Sequence, residues 1–197
     1  MELFHDYREQ WLDAAIQSVR PRFRACGYPL PDNIKVSCGW PVGSRGAKKV
    51  LGQCFAPSAS SKGNVEIFIS PTLDKPGQVM GVLIHELVHA AVGNDAGHGK
   101  AFQKACAELG LTGKATEALP GPEMSGWLSA GIMPELGQYP HASVDFNQRK
   151  KQGTRMIKLV CPETGYTVRT TKKWIEQGYP TSPAGCEMVP VEDDSEE

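Results

Sequence analysis

The chain has 197 residues, of which 40% are hydrophobic and 22% are charged, and its formal net charge is −1 at neutral pH. These values are typical of a globular protein with one domain and a small appendage, and they exclude a largely disordered chain. The near-neutral charge does not point to a nucleic-acid partner for the chain as a whole. No apolar run approaches the roughly 20 residues that span a bilayer, so we expect no membrane contact.

The N-terminal residues predict the cellular compartment, and the compartment in turn predicts the redox state of the cysteines. The first residues lack the basic start and the apolar stretch of a signal peptide, so we expect a cytoplasmic protein. Without an export signal, the six cysteines are expected to be reduced thiols rather than disulfides.

The first half of the chain alternates helical and extended patterns. Trp11, Ala15 and Val19 repeat at helical spacing, whereas residues 65–69 alternate apolar and polar side chains as a strand does. In chain order, the patterns predict a helix over 5–25, strands over 34–37, 49–55 and 65–69, and helices over 78–92 and 99–109.

The second half is less regular. Residues 112–150 are rich in Gly, Pro and small residues, which favours loops with short helical pieces. An extended pattern returns over 156–160 and 166–170, and a short helix is predicted over 172–177. We therefore predict an α+β fold with a first domain at 1–115, a loop or linker at 116–150, a β module at 151–190 and an acidic tail at 191–197.

The sequence His85-Glu86-Leu87-Val88-His89 has the His-Glu-x-x-His pattern of zinc metalloproteases. Residues four apart lie on one face of a helix, so the two imidazoles can bind one Zn²⁺ ion. Glu86 points about 100° away around the helix and can act as general base toward a zinc-activated water molecule. The pattern also arises by chance on amphipathic helices, but here it lies on a strongly apolar helix, where unpartnered His and Glu are costly.

A catalytic zinc usually has three protein ligands and one open position. His98 is the best candidate for the third ligand, because Gly93 and Gly97 allow the chain to reverse direction between His89 and His98. His5 and His141 are weaker candidates. The spacing differs from that of metzincins, in which the third His follows the second by six residues.

These motifs resemble the SprT-like (Spartan-type) zinc metalloprotease family. That family pairs His-Glu-x-x-His with a later His-Gly-x-x-Phe, which residues 85–89 and 98–102 match, and residues 52–54 and 67–70 also fit its pattern. The resemblance covers about residues 5–110. It implies a minimal zincin-like fold, with His85, His89 and His98 as zinc ligands and Glu86 as the catalytic base. It also implies hydrolysis of proteins or peptides, including proteins bound to DNA.

The same family often carries a C-terminal zinc ribbon, and residues 156–190 resemble one that has lost ligands. Cys161 begins a Cys-Pro-x-Thr-Gly-Tyr stretch in which Thr164 stands at the second ligand position, and Cys186 is alone at the second knuckle. A structural zinc needs four ligands. We therefore expect a degenerate, metal-free, ribbon-like β module, unless other residues contribute ligands.

The β module has a local positive charge. Residues 149–173 contain eight basic residues and one acidic residue, with Tyr166 and Trp174 among or beside them. Basic residues interleaved with aromatics suit a nucleic-acid surface, so residues 149–174 are a candidate DNA contact. An ordinary solvated face of a small sheet is an equally good interpretation.

The sequence therefore predicts a zinc-dependent peptidase. One alternative is a nucleic-acid-binding module with a structural or vestigial zinc site, which would not need Glu86. A second alternative is a zinc hydrolase that acts on a non-peptide amide.

Overall fold

The computed structural model describes residues 4–41, 50–145 and 156–191 and has an α+β fold. The chain divides into two compact units, Met1–Gln148 and Arg149–Glu197. The predicted acidic tail and the basic residues at 149–155 lie outside the described residues, apart from residue 191.

The first unit contains all the helices and strands predicted for residues 5–109, with small differences at their ends. They are helix α1 (Arg8–Ala25), strands β1 (Ile34–Cys38), β2 (Gly52–Phe55) and β3 (Val65–Ile69), and helices α2 (Pro76–Val92) and α3 (Lys100–Leu109).

The three strands form one sheet in the order β1-β3-β2. Strand β1 pairs with β3 in parallel, and β2 pairs with β3 in the antiparallel sense. Within the part of the chain that the structure describes, β2 is therefore an edge strand. Strand β2 also packs against α2.

Helix α2 is the centre of the first unit. Every residue from 79 to 88 is buried, and the helix contacts β2, β3 and α3. A helix that is buried on all sides needs apolar side chains around its circumference, which explains why its sequence is largely apolar. Helix α1 covers β1 with Trp11, Leu12 and Phe23, all of which are buried.

The structure differs from the predicted boundary at residue 115. The segment predicted as loops with short helical pieces and partly as a linker folds onto the first unit. It contains strands β4 (Leu111–Thr112) and β5 (Leu119–Pro120), and the short helical pieces are confirmed as helix α4 (Pro122–Trp127), a π-helical turn and helix α5 (Met133–Leu136). Apolar residues of this segment are in the core of the unit: Ala118, Met124, Leu128, Leu136 and Tyr139. Each element has only two to six residues, so no periodic pattern marks it in the sequence.

The second unit is a small antiparallel sheet. Strands β6 (Met156–Val160), β7 (Thr167–Thr171) and β8 (Val189–Pro190) lie in the order β7-β6-β8, and the short helix α6 (Lys172–Ile175) follows β7. Leu159 and Met188 are its buried apolar side chains. Such a small core needs an additional cross-link for stability.

A disulfide between Cys161 and Cys186 supplies that cross-link, which corrects the prediction that all six cysteines are reduced. Cys161 follows β6 and Cys186 precedes β8, so the pairing of these strands brings the two Cα atoms to 6.6 Å, within the usual range for a disulfide. Cys26, Cys38, Cys54 and Cys106 are free thiols. Disulfides are more typical of oxidising compartments, and the cytoplasmic location stays a prediction.

None of the helices in the described ranges has the length and apolar character that a membrane span requires.

The buried segment after residue 115 gives a first test. Met124 is fully buried in the first unit, so Met124→Ala should lower the free energy of unfolding by about 2–5 kcal/mol, as other large-to-small core substitutions do. Urea unfolding of the full chain measures this change, and Ser129→Ala at an exposed position of the same segment is the control. Equal stability of the two variants would show that this segment does not belong to the core.

Candidate metal centre

Helix α2 carries His85 and His89 one turn apart on the same side. His85 is buried and His89 is partly buried. Two imidazoles and a carboxyl group in a helix that is otherwise apolar need polar partners, because burial without them is unfavourable. Three other parts of the first unit contact the two histidines.

The first part is the turn after α2, which brings His98 to the other two histidines. Gly93 and Gly97 both have positive φ angles, of 87° and 47°, which side chains other than glycine rarely adopt. The chain therefore reverses direction within a few residues. His98 Nε2 lies 3.3 Å from His85 Nε2 and 3.2 Å from His89 Nε2.

These distances fit a metal ion. Three nitrogens bound tetrahedrally at 2.0–2.1 Å from zinc lie about 3.3–3.4 Å apart. One ligand atom from each of the three histidines lies within 4.8 Å of the others, and no other such cluster occurs among the described residues. His85, His89 and His98 can therefore hold a metal ion, as the sequence predicts, with Nε2 as the ligand atom.

The second part is the backbone of the segment after α3. His85 Nδ1 lies 3.1 Å from the carbonyl oxygen of Ala118 and donates a hydrogen bond to it in the tautomer that leaves Nε2 free for a metal. Histidine ligands commonly make this kind of contact, which fixes the ring and raises its basicity. Sequence reasoning missed Ala118 because a backbone carbonyl has no sequence signature and the residue lies in the predicted linker.

The third part is Phe102 on α3. Its ring stacks on His89 with a centroid distance of 4.3 Å, and it lies 5.1 Å from the ring of His85 and 5.0 Å from that of His98. A single apolar ring thus supports all three imidazoles. This contact explains why the later motif contains a phenylalanine four residues after its histidine.

Burial changes the ionisation of the two helix histidines. It lowers the pKa of His85, and with the neighbouring imidazoles it lowers the pKa of His89 to about 4. Both rings are therefore neutral near pH 7. A neutral imidazole has the lone pair that a metal ligand needs.

Glu86 lies beside the three histidines but is not part of the ligand cluster. Glu86 is only 6% exposed. This burial raises the pKa of its carboxyl group to about 8, although a hydrogen bond from the Cys54 backbone partly offsets the increase. A nearby positive charge lowers the pKa of a carboxyl group. A bound metal cation would therefore favour the ionised form, which can accept a proton.

All four side chains line one cleft of about 590 Å³. Strand β2 forms one side of the cleft through Gly52 and Cys54, and residues 116–119 form the other. The histidine cluster lies in the wall of this cleft. The cleft is therefore suited to a ligand larger than water.

His141, a weaker candidate, has a structural role instead. Its Nδ1 accepts a hydrogen bond from Arg8 at 2.8 Å, and its Nε2 donates to the carbonyl oxygen of Pro71 at 2.8 Å. His5 and His141 are both absent from the ligand cluster found in the described ranges. In the second unit, the two cysteines at the predicted zinc-ribbon positions, Cys161 and Cys186, form a disulfide with each other.

Comparison of the chain with protein-family models, with curated proteins and with solved structures finds no match.

The geometry predicts which histidines bind metal. Loss of a residue that only hydrogen-bonds a metal ligand weakens metal binding by roughly 10–100-fold. Loss of a ligand itself should weaken it more, so we expect a larger decrease in affinity for each of the variants His85→Ala, His89→Ala and His98→Ala. Metal analysis and chelator competition measure this effect. His141→Ala is the matched control, and full metal affinity in His98→Ala would exclude His98 as a ligand.

Proposed function

We propose that the chain is a zinc-dependent peptidase whose first unit has a minimal zincin-like fold similar to that of SprT-like proteins. The main observation in support is the buried carboxyl group of Glu86 next to three histidines whose ligand atoms lie within 4.8 Å of one another, in an open cleft. A ligand set of three imidazoles is typical of catalytic zinc, because it leaves one position open.

A bound zinc ion would supply a Lewis acid that activates a water molecule and polarises the scissile carbonyl group. The Glu86 carboxylate accepts the proton of the attacking water and then delivers it to the leaving amine nitrogen. Its burial strengthens this proton transfer by excluding bulk water. Ala118, through the hydrogen bond to His85 Nδ1, keeps that ring in its metal-binding orientation.

Strand β2 offers a binding surface for an extended peptide, since it is a sheet edge along the cleft. At Cys54, the backbone groups that face away from β3 are already used: the N–H by Glu86 and the carbonyl by Asn94 Nδ2 at 2.6 Å. Gly52 is two residues away, so its backbone groups face the same side as those of Cys54. A substrate strand therefore pairs with β2 at Gly52.

The cleft also bears on the two alternatives. A purely structural zinc site has four protein ligands and no use for a buried carboxyl group at an open cleft. A hydrolase for non-peptide amides would use the same residues, but it would not need a sheet edge along the cleft. The exposed edge of β2 therefore favours a peptide substrate.

The role of Glu86 is tested by its isosteric amide. Glu86→Gln should keep the fold and the zinc affinity but hydrolyse peptides about 10²–10⁴-fold more slowly, because only the proton acceptor is removed. Peptide-library cleavage by the zinc-loaded protein measures the rate, and metal analysis measures occupancy. Glu123→Gln, at an exposed carboxyl on α4, is the control. An unchanged rate in Glu86→Gln would exclude Glu86 as the base.

We propose a second function, a weak nucleic-acid contact, for the second unit, which we interpret as a metal-free relative of zinc ribbons. Three aromatic side chains are exposed there: Trp174 by 57%, Tyr166 by 48% and Tyr179 by 41%. Lys173 Nζ lies 5.3 Å from the ring centre of Trp174, and Lys158 is paired across the sheet with Arg169. Exposed rings can stack on bases while the cations contact phosphates. The ordinary solvated face is the competing interpretation.

Charge reversal tests this nucleic-acid contact. Lys172→Glu combined with Lys173→Glu should weaken binding to all DNA sequences alike, and the slope of log affinity against log salt should fall by about one for each lysine–phosphate pair that the substitutions remove. Salt-titrated binding to single- and double-stranded DNA measures both effects. Lys114→Glu, an exposed charge reversal in the first unit, is the control. Absence of binding by the parent protein at about 50 mM salt would identify the basic residues as ordinary surface.

A further inference from the structure

Gly52 lies where the edge strand β2 comes closest to Glu86. A Cβ atom on residue 52 would be 2.6 Å from Glu86 Oε1, 2.8 Å from Glu86 Cγ and 2.6 Å from Val82 Cγ1. Real Cβ atoms essentially never approach other heavy atoms within 3.0 Å. Any side chain at residue 52 would therefore force the strand, the Glu86 side chain or the Val82 side chain to move.

The requirement for glycine at this position concerns space and not backbone conformation. Gly52 is not among the glycines with positive φ, so other residues can adopt its backbone angles. Gly93 and Gly97, by contrast, have positive φ and open space where a Cβ would be. Gly52 is thus distinguished by its contact with the metal-site helix.

This contact limits where the Glu86 carboxyl group can lie. On one side the group occupies the space where a Cβ of residue 52 would be, and two residues further along the same strand the backbone N–H of Cys54 donates a hydrogen bond to it. Asn94, from the turn between His89 and His98, holds the same strand through the Cys54 carbonyl group. Strand β2 is therefore fixed to the metal-site helix at one point and to the metal-site turn at another.

We propose that Gly52 is a positioning residue for Glu86: the missing side chain lets β2 lie directly against α2 and hold the carboxyl group at the histidine cluster. Its catalytic consequence rests on the proposed peptidase function, whereas the packing relation does not. The proposal assigns Gly52 a role in placing the proton acceptor without contact to the reacting atoms.

The packing relation is tested in the metal-free protein by a double-mutant cycle. Gly52→Ala should lower the urea midpoint of unfolding in the parent protein. It should lower the midpoint less in a Glu86→Ala background, because the Cγ and carboxyl atoms that it would meet are then absent. Gly77→Ala, on α2 with open space around the added Cβ, is the control for the general effect of replacing glycine. An equal decrease in both backgrounds would overturn the proposal.

The catalytic consequence is tested in the zinc-loaded protein. Gly52→Ala should lower kcat at least tenfold, since complete loss of a general base costs about 10²–10⁴-fold. KM should change by a smaller factor, because β2 also borders the substrate, and zinc affinity should be unchanged. A fall in zinc affinity, or an unchanged kcat, would overturn the proposal. If the parent protein hydrolyses no peptide, the proposed function fails, and the unfolding cycle alone decides the role of Gly52.

A second substitution separates the carboxyl group from the strand–helix spacing. Val82→Ala removes the other atom that a side chain at residue 52 would meet, while leaving Glu86 in place. If Gly52 acts through Glu86, then adding Val82→Ala to Gly52→Ala does not restore kcat. If kcat of the double variant equals that of Val82→Ala alone, then the effect of Gly52→Ala passes through Val82, and the proposal is wrong.

Discussion

Burial of polar groups on an apolar helix is the constraint on which the first unit depends. Helix α2 is enclosed by other elements, yet its sequence places two imidazoles and one carboxyl group among aliphatic side chains. Each of these groups loses hydration when it is buried, and only specific partners compensate for that loss. His85 is paired with the backbone carbonyl of Ala118, and Glu86 with the backbone N–H of Cys54. Both backbone groups come from segments that are far from α2 in sequence.

This constraint explains the arrangement of the elements around α2. Strand β2 reaches the helix on one side, and the segment with Ala118 reaches it on the other, so the polar partners also form the two sides of the cleft. The same backbone segments that satisfy the buried groups therefore delimit the space for a ligand. Phe102 adds an apolar support below the three imidazole rings.

Much of the histidine cluster could be predicted from the sequence, because its determinants are local. The four-residue spacing of His85 and His89 depends only on helix geometry, and the approach of His98 depends on a glycine-containing turn. The long-range determinants could not be predicted. The contact between Gly52 and Glu86 requires the packing of β2 on α2, and the contribution of Ala118 requires a segment without periodicity to fold onto the core. The disulfide could not be predicted for a similar reason, since strand pairing brings Cys161 and Cys186 together across 25 residues of sequence.

The hydrogen bond between His85 and the Ala118 carbonyl has a consequence for sequence variation. Every amino acid carries a backbone carbonyl, so the acceptor survives any substitution at residue 118 that preserves the local chain path. Substitution of the buried Ala118 is therefore limited mainly by the volume of the new side chain. A backbone contact of this kind leaves little trace in amino-acid identity. Such centres can diverge widely around an unchanged set of histidines while keeping the ligand ring in the same orientation.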